Sequence, residues 1–413
     1  MGRGVFSVSE HGCQIKMRYF LVLILLCRVF VSFSQDPVLL HKDSAAFQLN
    51  YRVETAEDWN LLFKRDHGWF GGDGIYSIPM DGIETQGGEG EVKTLFIFSD
   101  TMFGDIKEGK LQPGSKMVNN SVAILTGRQP RHTNMLFYGD DQPIDSISTL
   151  FLPKTVQSKE GEYYWLGDGF INQALDFTTY IFGYRIRNTG AKVFGFEEVG
   201  NTLIAIPKGS APPFSDYRQF DTPLYISKND KQNGSFGAGI LVNTELAGVP
   251  NPDGFIYVYG VVGSKKKVLV ARVLPADFED FEQWTYWDGA KWNADINRAT
   301  EIADRASNEL SVSPLEDGRY IMIFQKDGIG SSVGLRVGLS PVGPFGPIHE
   351  IWQCPEPEAN ENHFVYNAKA HPHLSKKGEL LISYNVNSFD FLNDLNLDPQ
   401  LYRPRFIRIK FDQ

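Results

Sequence analysis

Cysteine is nearly absent from this chain, with 3 in 413 residues. Two of them, Cys13 and Cys27, fall in the first 35 residues, so a chain without that segment keeps only Cys354 and can form no internal disulfide. Its fold must then rest on a hydrophobic core, which a domain of this size supplies without difficulty. An excess of positive charge is also missing. Lys and Arg number 40 against 50 Asp and Glu, a net charge of −10 that becomes −13 once the four basic and one acidic residues of the first 35 are removed. Nucleic acid is thereby excluded as a partner. The one strongly apolar run, Tyr19 to Val31, is about 13 residues long and is broken by Arg28, too short to span a bilayer comfortably, so no stable membrane insertion is expected. The chain has no HExxH, no GxSxG, no GxGxxG leading from strand to helix and no Cys pair for zinc.

What is present begins with a leader. Lys16 and Arg18 precede the apolar run, and Ser32-Phe33-Ser34 offers small residues where a signal peptidase reads, so residues 1–35 are expected to be a signal peptide, with Met17 as an alternative start. The expected location is periplasmic or extracellular. Residues 36–66 read as a lead-in containing one short amphipathic helix within 56–65, where Trp59, Leu62 and Phe63 recur at helical spacing. From 67 to 413 the chain breaks into short apolar or alternating runs divided by Gly, Pro, Asn and Asp, in keeping with 13% aromatic residues and 40 glycines.

These runs form five groups. They open at "DGIYSIPM", "EYYWLGDGFI", "GAGILVN", "NELSVSPL" and "YNAKAHPHL", and each is followed by two or three further strand-like runs. Five such units at roughly fifty to eighty residues predict an all-β chain folded as a five-bladed β-propeller. A two-layer sandwich is the alternative. In a propeller the first strand of each blade lines a central channel, so the polar residues opening each group are candidates for one shared site.

Two aspartates carry the clearest chemistry. Asp73 lies among Gly71, Gly72 and Gly74, a spacing that indicates a bulge or a close approach of a ligand to the backbone. Asp100 ends the apolar run of "TLFIFSD". If Ile75–Met80 pairs with Leu95–Ser99, both carboxylates reach the same end of the first blade, and two carboxylates are what glycosidic cleavage needs: an acid for the leaving oxygen and a base or nucleophile. Asn119, Asn120, Asp168, Glu309, Asn367 and His371 open or flank the other groups and are the expected sugar-binding residues, with Trp69 as a stacking surface. Tyr76, Tyr164, Trp165 and Tyr366 also flank the polar residues. No cofactor is expected and no metal site is assigned, although carboxylates with His371 could hold a structural divalent cation in the channel.

"GWFGGDGIYSIPMDG", "LFIFSDTMFG", "VNNSVAI", "NELSVSP" and "YNAKAHPHLSKKGELLISYNVNS" together resemble the five-bladed propellers long filed as an uncharacterised domain, among which bacterial endo-D-arabinofuranases have been recognised. The wider set is similar to the furanosidase propellers that include arabinanases and fructosidases. The resemblance covers about residues 57–411. It implies a glycoside hydrolase acting on a furanose-containing polysaccharide, with Asp73 and Asp100 as acid and base or nucleophile and Asn120, Glu309 and His371 in support. Two departures stand out: a Gly- and Glu-rich insertion, "DGIETQGGEGEVK", and Ser99 where the family usually has Gly. A carbohydrate-binding propeller without catalysis is the alternative function. A glycan phosphorylase on the same scaffold is another, and it would need a phosphate site where the opening motifs offer only Lys369.

Overall fold

A run such as Leu95–Phe98 has no polar face, so it is stable as a strand only when both faces of its sheet are covered. The computed structural model describes residues 45–85, 92–191, 195–227 and 232–412. The expected leader and its two cysteines lie outside the described residues, as does part of the Gly- and Glu-rich insertion. Among the described residues no helix is long and apolar enough to cross a membrane.

The strands form a five-bladed propeller. Blade one is Tyr76–Pro79, Lys93–Phe98, Ser121–Thr126 and Met135–Phe137; blade two is Tyr163–Asn172, Thr178–Asn188, Phe196–Ile206 and Arg218–Asp221. Blade three runs from Gly234–Asn243 through Phe255–Val262 and Lys267–Val273 to Thr285–Trp287, with the short strands Tyr225–Ile226 and Trp292–Asn293 added at its two edges. Blade four is Leu310–Pro314, Tyr320–Gln325, Ser332–Gly338 and His349–Gln353. In blade five His363–Ala370, Glu379–Ser388 and Arg405–Phe411 are joined by Tyr51–Thr55 from the start of the described chain. Every expected group is therefore a blade. The boundary at 67 is corrected, because the lead-in contributes the strand that closes the ring.

Segments of all five opening strands converge on one small axial cavity of about 60 Å³, lined among others by Ser77, Asp168, Ile240, Ser311 and His371. In blades two, three and five the opening strand carries a β-bulge at a matching place, between Leu166 and Gly169, Phe236 and Gly239, and Tyr366 and Lys369. A bulge re-aims the side chains that follow it. Residues before these bulges face one end of the axis and residues after them face the cavity.

Outside the blades a small ribbon pairs His67–Gly72 with Thr101–Lys107 and the latter with Lys116–Val118. The run "TLFIFSDTMFG" is thus two strands in two sheets, divided at Ser99 and Asp100. The helix Glu57–Leu62 turns Trp59 and Leu62 inward and leaves Leu61 outside at 51% exposure, as the spacing predicts. Phe63, the next residue, lies against Trp69, Phe96, Phe98, Phe137 and Phe406, with centroids 5.1 Å to 6.3 Å away. Cys354 is buried in the core between blades four and five, where burial pushes its thiol up to about 12.

Phe63 joins the ribbon, blade one and blade five in a single aromatic cluster. Phe63→Ala is expected to cost about 3–5 kcal/mol of unfolding free energy. Leu61→Ala, on the exposed side of the same helix, should stay within about 0.5 kcal/mol in the same urea titration.

Candidate active site

Asp73 lies where the chain passes from the ribbon into blade one, and Asp100 where it passes back. The two crossings run side by side. The Asp73 N–H donates to the Asp100 carbonyl at 3.1 Å, and the Ser99 N–H donates to the Asp73 carbonyl at 2.8 Å. Gly74 has φ +61 and a Cβ there would come within 2.5 Å of Ser99 Oγ, so only glycine admits the approach. Gly71 faces the Tyr402 main chain, where an added Cβ would stand 3.0 Å from the carbonyl oxygen. The glycines around Asp73 thus allow one segment to press against two others.

Both carboxylates open into a cleft of about 1070 Å³ at one end of the axis. Trp165, Tyr163 and Phe196 from blade two stand on one side, and Phe364, Tyr366 and Phe389 from blade five on the other. Glu198, Lys266, Asn308 and Glu309 complete it across from blade one. Tyr366 Oη donates to Asp73 Oδ2 at 2.6 Å, and Asn119 Nδ2 donates to Asp100 Oδ1 at 3.2 Å.

Burial raises both aspartates, by different balances. For Asp73 it is opposed by the Tyr366 and Tyr402 hydroxyls and by the charge of Lys369. For Asp100 burial and the Asp73 charge act together, against the Asn119 hydrogen bond, and push the carboxyl up to about 7. The tyrosine hydroxyls and the Lys369 charge favour the anion at Asp73, whereas the Asp73 charge disfavours it at Asp100. Burial likewise lifts Glu198 and Glu309 to about 7. Among the described residues no three His, Cys, Asp or Glu side chains are grouped to hold a metal ion.

A family model described as a domain of unknown function, DUF5005, matches residues 56–411, almost the whole propeller. The chain belongs to the DUF5005 family. No protein of curated function matches it in sequence. Among solved structures it is similar to a candidate hydrolase from Bacteroides ovatus, with a TM-score of 0.65 and 24% identity over 86% of this chain and 90% of that one. That likeness speaks to the fold. Looser likenesses include an α-L-arabinofuranosidase from Podospora anserina bound to cellotriose, with a TM-score of 0.40, 9% identity, and 88% and 97% of the two chains covered. A variant of an exo-β-1,3-galactanase from Phanerochaete chrysosporium bound to β-1,3-galactotriose gives a TM-score of 0.38 and 11% identity over 83% and 60%.

The DUF5005 cleft brings together Asp73, Asp100, Asn119, Glu309 and Asn367, but four other expected binding residues lie elsewhere. Trp69 is fully buried, its ring stacked on Phe137 at 4.7 Å, so it is core and not a sugar platform. Asn120 is also buried. Its amide donates to the carbonyls of Phe151 and Tyr164 and accepts from the Phe151 N–H, bracing blade one against blade two. Asp168 lies within the blade-two bulge and turns into the axial cavity, where it accepts from the Gly169 and Ile240 N–H groups at 2.8 Å and 2.7 Å. His371 is buried in the same cavity wall, with one ring nitrogen 2.7 Å from Ser77 Oγ and the other 2.8 Å from Ser383 Oγ. Of the flanking aromatics, Tyr76 and Tyr164 are core, while Trp165 and Tyr366 line the cleft.

Residues that the sequence did not single out include Tyr402, Glu198 and Lys266. Tyr402 arrives from the loop before the last strand and Glu198 from the third strand of its blade, so no rule about opening strands finds them. The two adjacent asparagines separate by experiment. Asn120→Ala leaves three buried backbone groups unpaired and should lower unfolding free energy by about 1–3 kcal/mol, whereas Asn119→Ala should leave the urea midpoint close to wild type.

Proposed function

We propose that this protein is a glycoside hydrolase of a furanose-containing polysaccharide, arabinan-like, with endo action on D-arabinan as the narrower reading. The observation that carries it is the Asp73–Asp100 pair: two carboxylates on segments tied together by backbone hydrogen bonds, both lining one large cleft. Asp100 holds the proton and donates it to the glycosidic oxygen as the bond breaks. Asp73, ionised and steadied by Tyr366, acts in one of two ways. As nucleophile it bonds to the anomeric carbon, and the Asp100 carboxylate left by the first step takes a proton from the water that breaks that bond; as base it takes the proton of the attacking water itself, and Asp100 takes none.

The rest of the cleft suits a sugar chain. Aromatic rings on both sides of blade one offer stacking faces to the C–H surfaces of sugars, and Asn308 and Asn367 bring amides to the cleft for their hydroxyls. A chain lying across blade one would have rings on each side of the bond to be cut, which favours endo action. We further propose that the leader exports the protein to the periplasm or beyond, where such polymers are met, and that catalysis needs no cofactor. The description of the Bacteroides ovatus neighbour as a candidate hydrolase is in keeping with this reading.

The test is incubation of the protein with arabinans, fructans and galactans, and analysis of the released oligosaccharides. Asp73→Asn and Asp100→Asn should each lower turnover by about 10²-fold or more while retaining the wild-type unfolding curve. Wild-type turnover in either variant would remove that residue from the mechanism. Binding of one glycan with no products from any variant would make this a carbohydrate-binding propeller.

The pH profile has a required shape. The acid must be protonated, so the rate should fall as pH rises past about 7, where Asp100 loses its proton. On the acid side it should fall as Asp73 gains one. Initial rates across the pH range check both limbs.

A further inference from the structure

Between the cleft and the axial cavity stands an ion pair, with Glu309 lining the cleft and Lys369 the cavity. Lys369, on the opening strand of blade five, is 1% exposed and its ammonium meets the Glu309 carboxylate from blade four. Its Nζ also stands 4.4 Å from the centre of the Tyr76 ring of blade one, which shields it from water. The bulge between Tyr366 and Lys369 makes this possible, since Tyr366 and Asn367 turn to the cleft while Lys369 turns toward the cavity. Asn367 holds φ +57 there, and its amide donates to the other Glu309 oxygen at 2.6 Å.

One carboxylate touches this ammonium and two more lie near it: Glu309 pairs with it, Asp168 of blade two lines the same small cavity as Lys369, and Asp73 at the entry to blade one lines the cleft beside Glu309. The Lys369 charge favours the ionised form of both aspartates. The other groups facing the cluster carry no positive charge: Tyr76 and Tyr184 are phenols, and burial and the Lys369 charge keep His371 neutral between its two serines. Anions gathered on an axis away from water need a cation among them. A divalent ion could fill that role, but here the position adjoining Glu309 is taken by a side chain.

We propose that Lys369 is the internal counter-ion of this propeller: one buried ammonium holds Asp73, Asp168 and Glu309 together at the axis and does the work of a bound metal ion. Lys369 is a positioning residue. Its consequence for catalysis rests on the reading of Asp73 as the ionised partner, but its effect on Asp73 does not depend on any substrate.

The two members of the ion pair should act on Asp73 in opposite directions. Lys369→Met removes a positive neighbour, so the Asp73 carboxyl should bind its proton at least tenfold more tightly. Glu309→Gln removes a negative neighbour and frees the ammonium, so the same carboxyl should bind its proton more weakly. Carboxyl-¹³C NMR titration of the full chain, with the Asp73 signal identified by its loss in Asp73→Asn, reads both. Opposite shifts support the proposal, and equal or absent shifts overturn it. If Lys369→Met does not fold, Glu309→Gln decides alone, since an unchanged or tighter Asp73 proton defeats the counter-ion role. Thermal unfolding of the wild type should be the same after treatment with EDTA and with added calcium chloride; stabilisation by calcium would show that an external ion fills the role instead. None of these readings uses a glycan, so failure to find hydrolysis would sink the proposed activity and leave this result standing.

Discussion

The carboxylates of Asp73 and Asp100 repel one another whenever both are charged, so something other than the carboxylates must hold them together. Here it is the main chain. The crossings at 73 and at 99–100 exchange backbone hydrogen bonds, and the hydroxyl of Ser99 accepts the Leu166 N–H of blade two at 2.9 Å. Main-chain positions fixed in this way do not depend on the state of the proton. Gly74 is required for it, because the contact with Ser99 leaves no room for a β-carbon. Ser99 therefore has a structural use as the tie to the next blade.

Burial gives those positions their chemistry and also burdens the fold. Glu84 is lifted to about 8, and Asp100, Asp168, Glu198 and Glu309 to about 7, in each case chiefly by loss of water. A carboxyl raised in the folded state binds protons more tightly folded than unfolded. Its contribution to stability is present in acid and is lost as pH climbs from the ordinary carboxylate range toward those raised values. The aromatic clusters between the blades have to outweigh that loss at neutral pH.

The blades were legible because their residues obey a local rule. Runs such as "RYIMIFQKD" and "ELLISYNVN" alternate or stay apolar over strand lengths and stop at turn residues, which is information each segment carries by itself. The pairing of Tyr76 with Ile97 through Pro79 with Thr94 follows from the same rule, and it placed Asp73 and Asp100 together correctly. What was not legible depends on where a strand is bent or what meets it from afar. Asp168 and His371 open their blades as Asp73 does, yet the bulge in one strand and the serines around the other turn them to the cavity. Trp69 neighbours Asp73 in sequence but faces Phe137 across the ribbon. The fourth strand of each blade is only three to five residues long, so its pattern is weak, and Tyr51–Thr55 gives no local sign that its partner is Arg405–Phe411.

That last pairing sets the order in which the molecule can be made. Asn60 hydrogen-bonds with Phe406, 346 residues away, and Phe406 also completes the aromatic cluster around Phe63. A chain leaving the ribosome must carry Tyr51–Thr55 and the helix after it without their partners until Arg405–Phe411 has been synthesised. Contacts so distant in sequence form late and slowly. Until then blade five exposes the edge of Glu379–Ser388, which invites pairing with other chains. The ring is therefore most vulnerable to aggregation just before its closing strand emerges, when nearly all of its sequence exists and its seam does not.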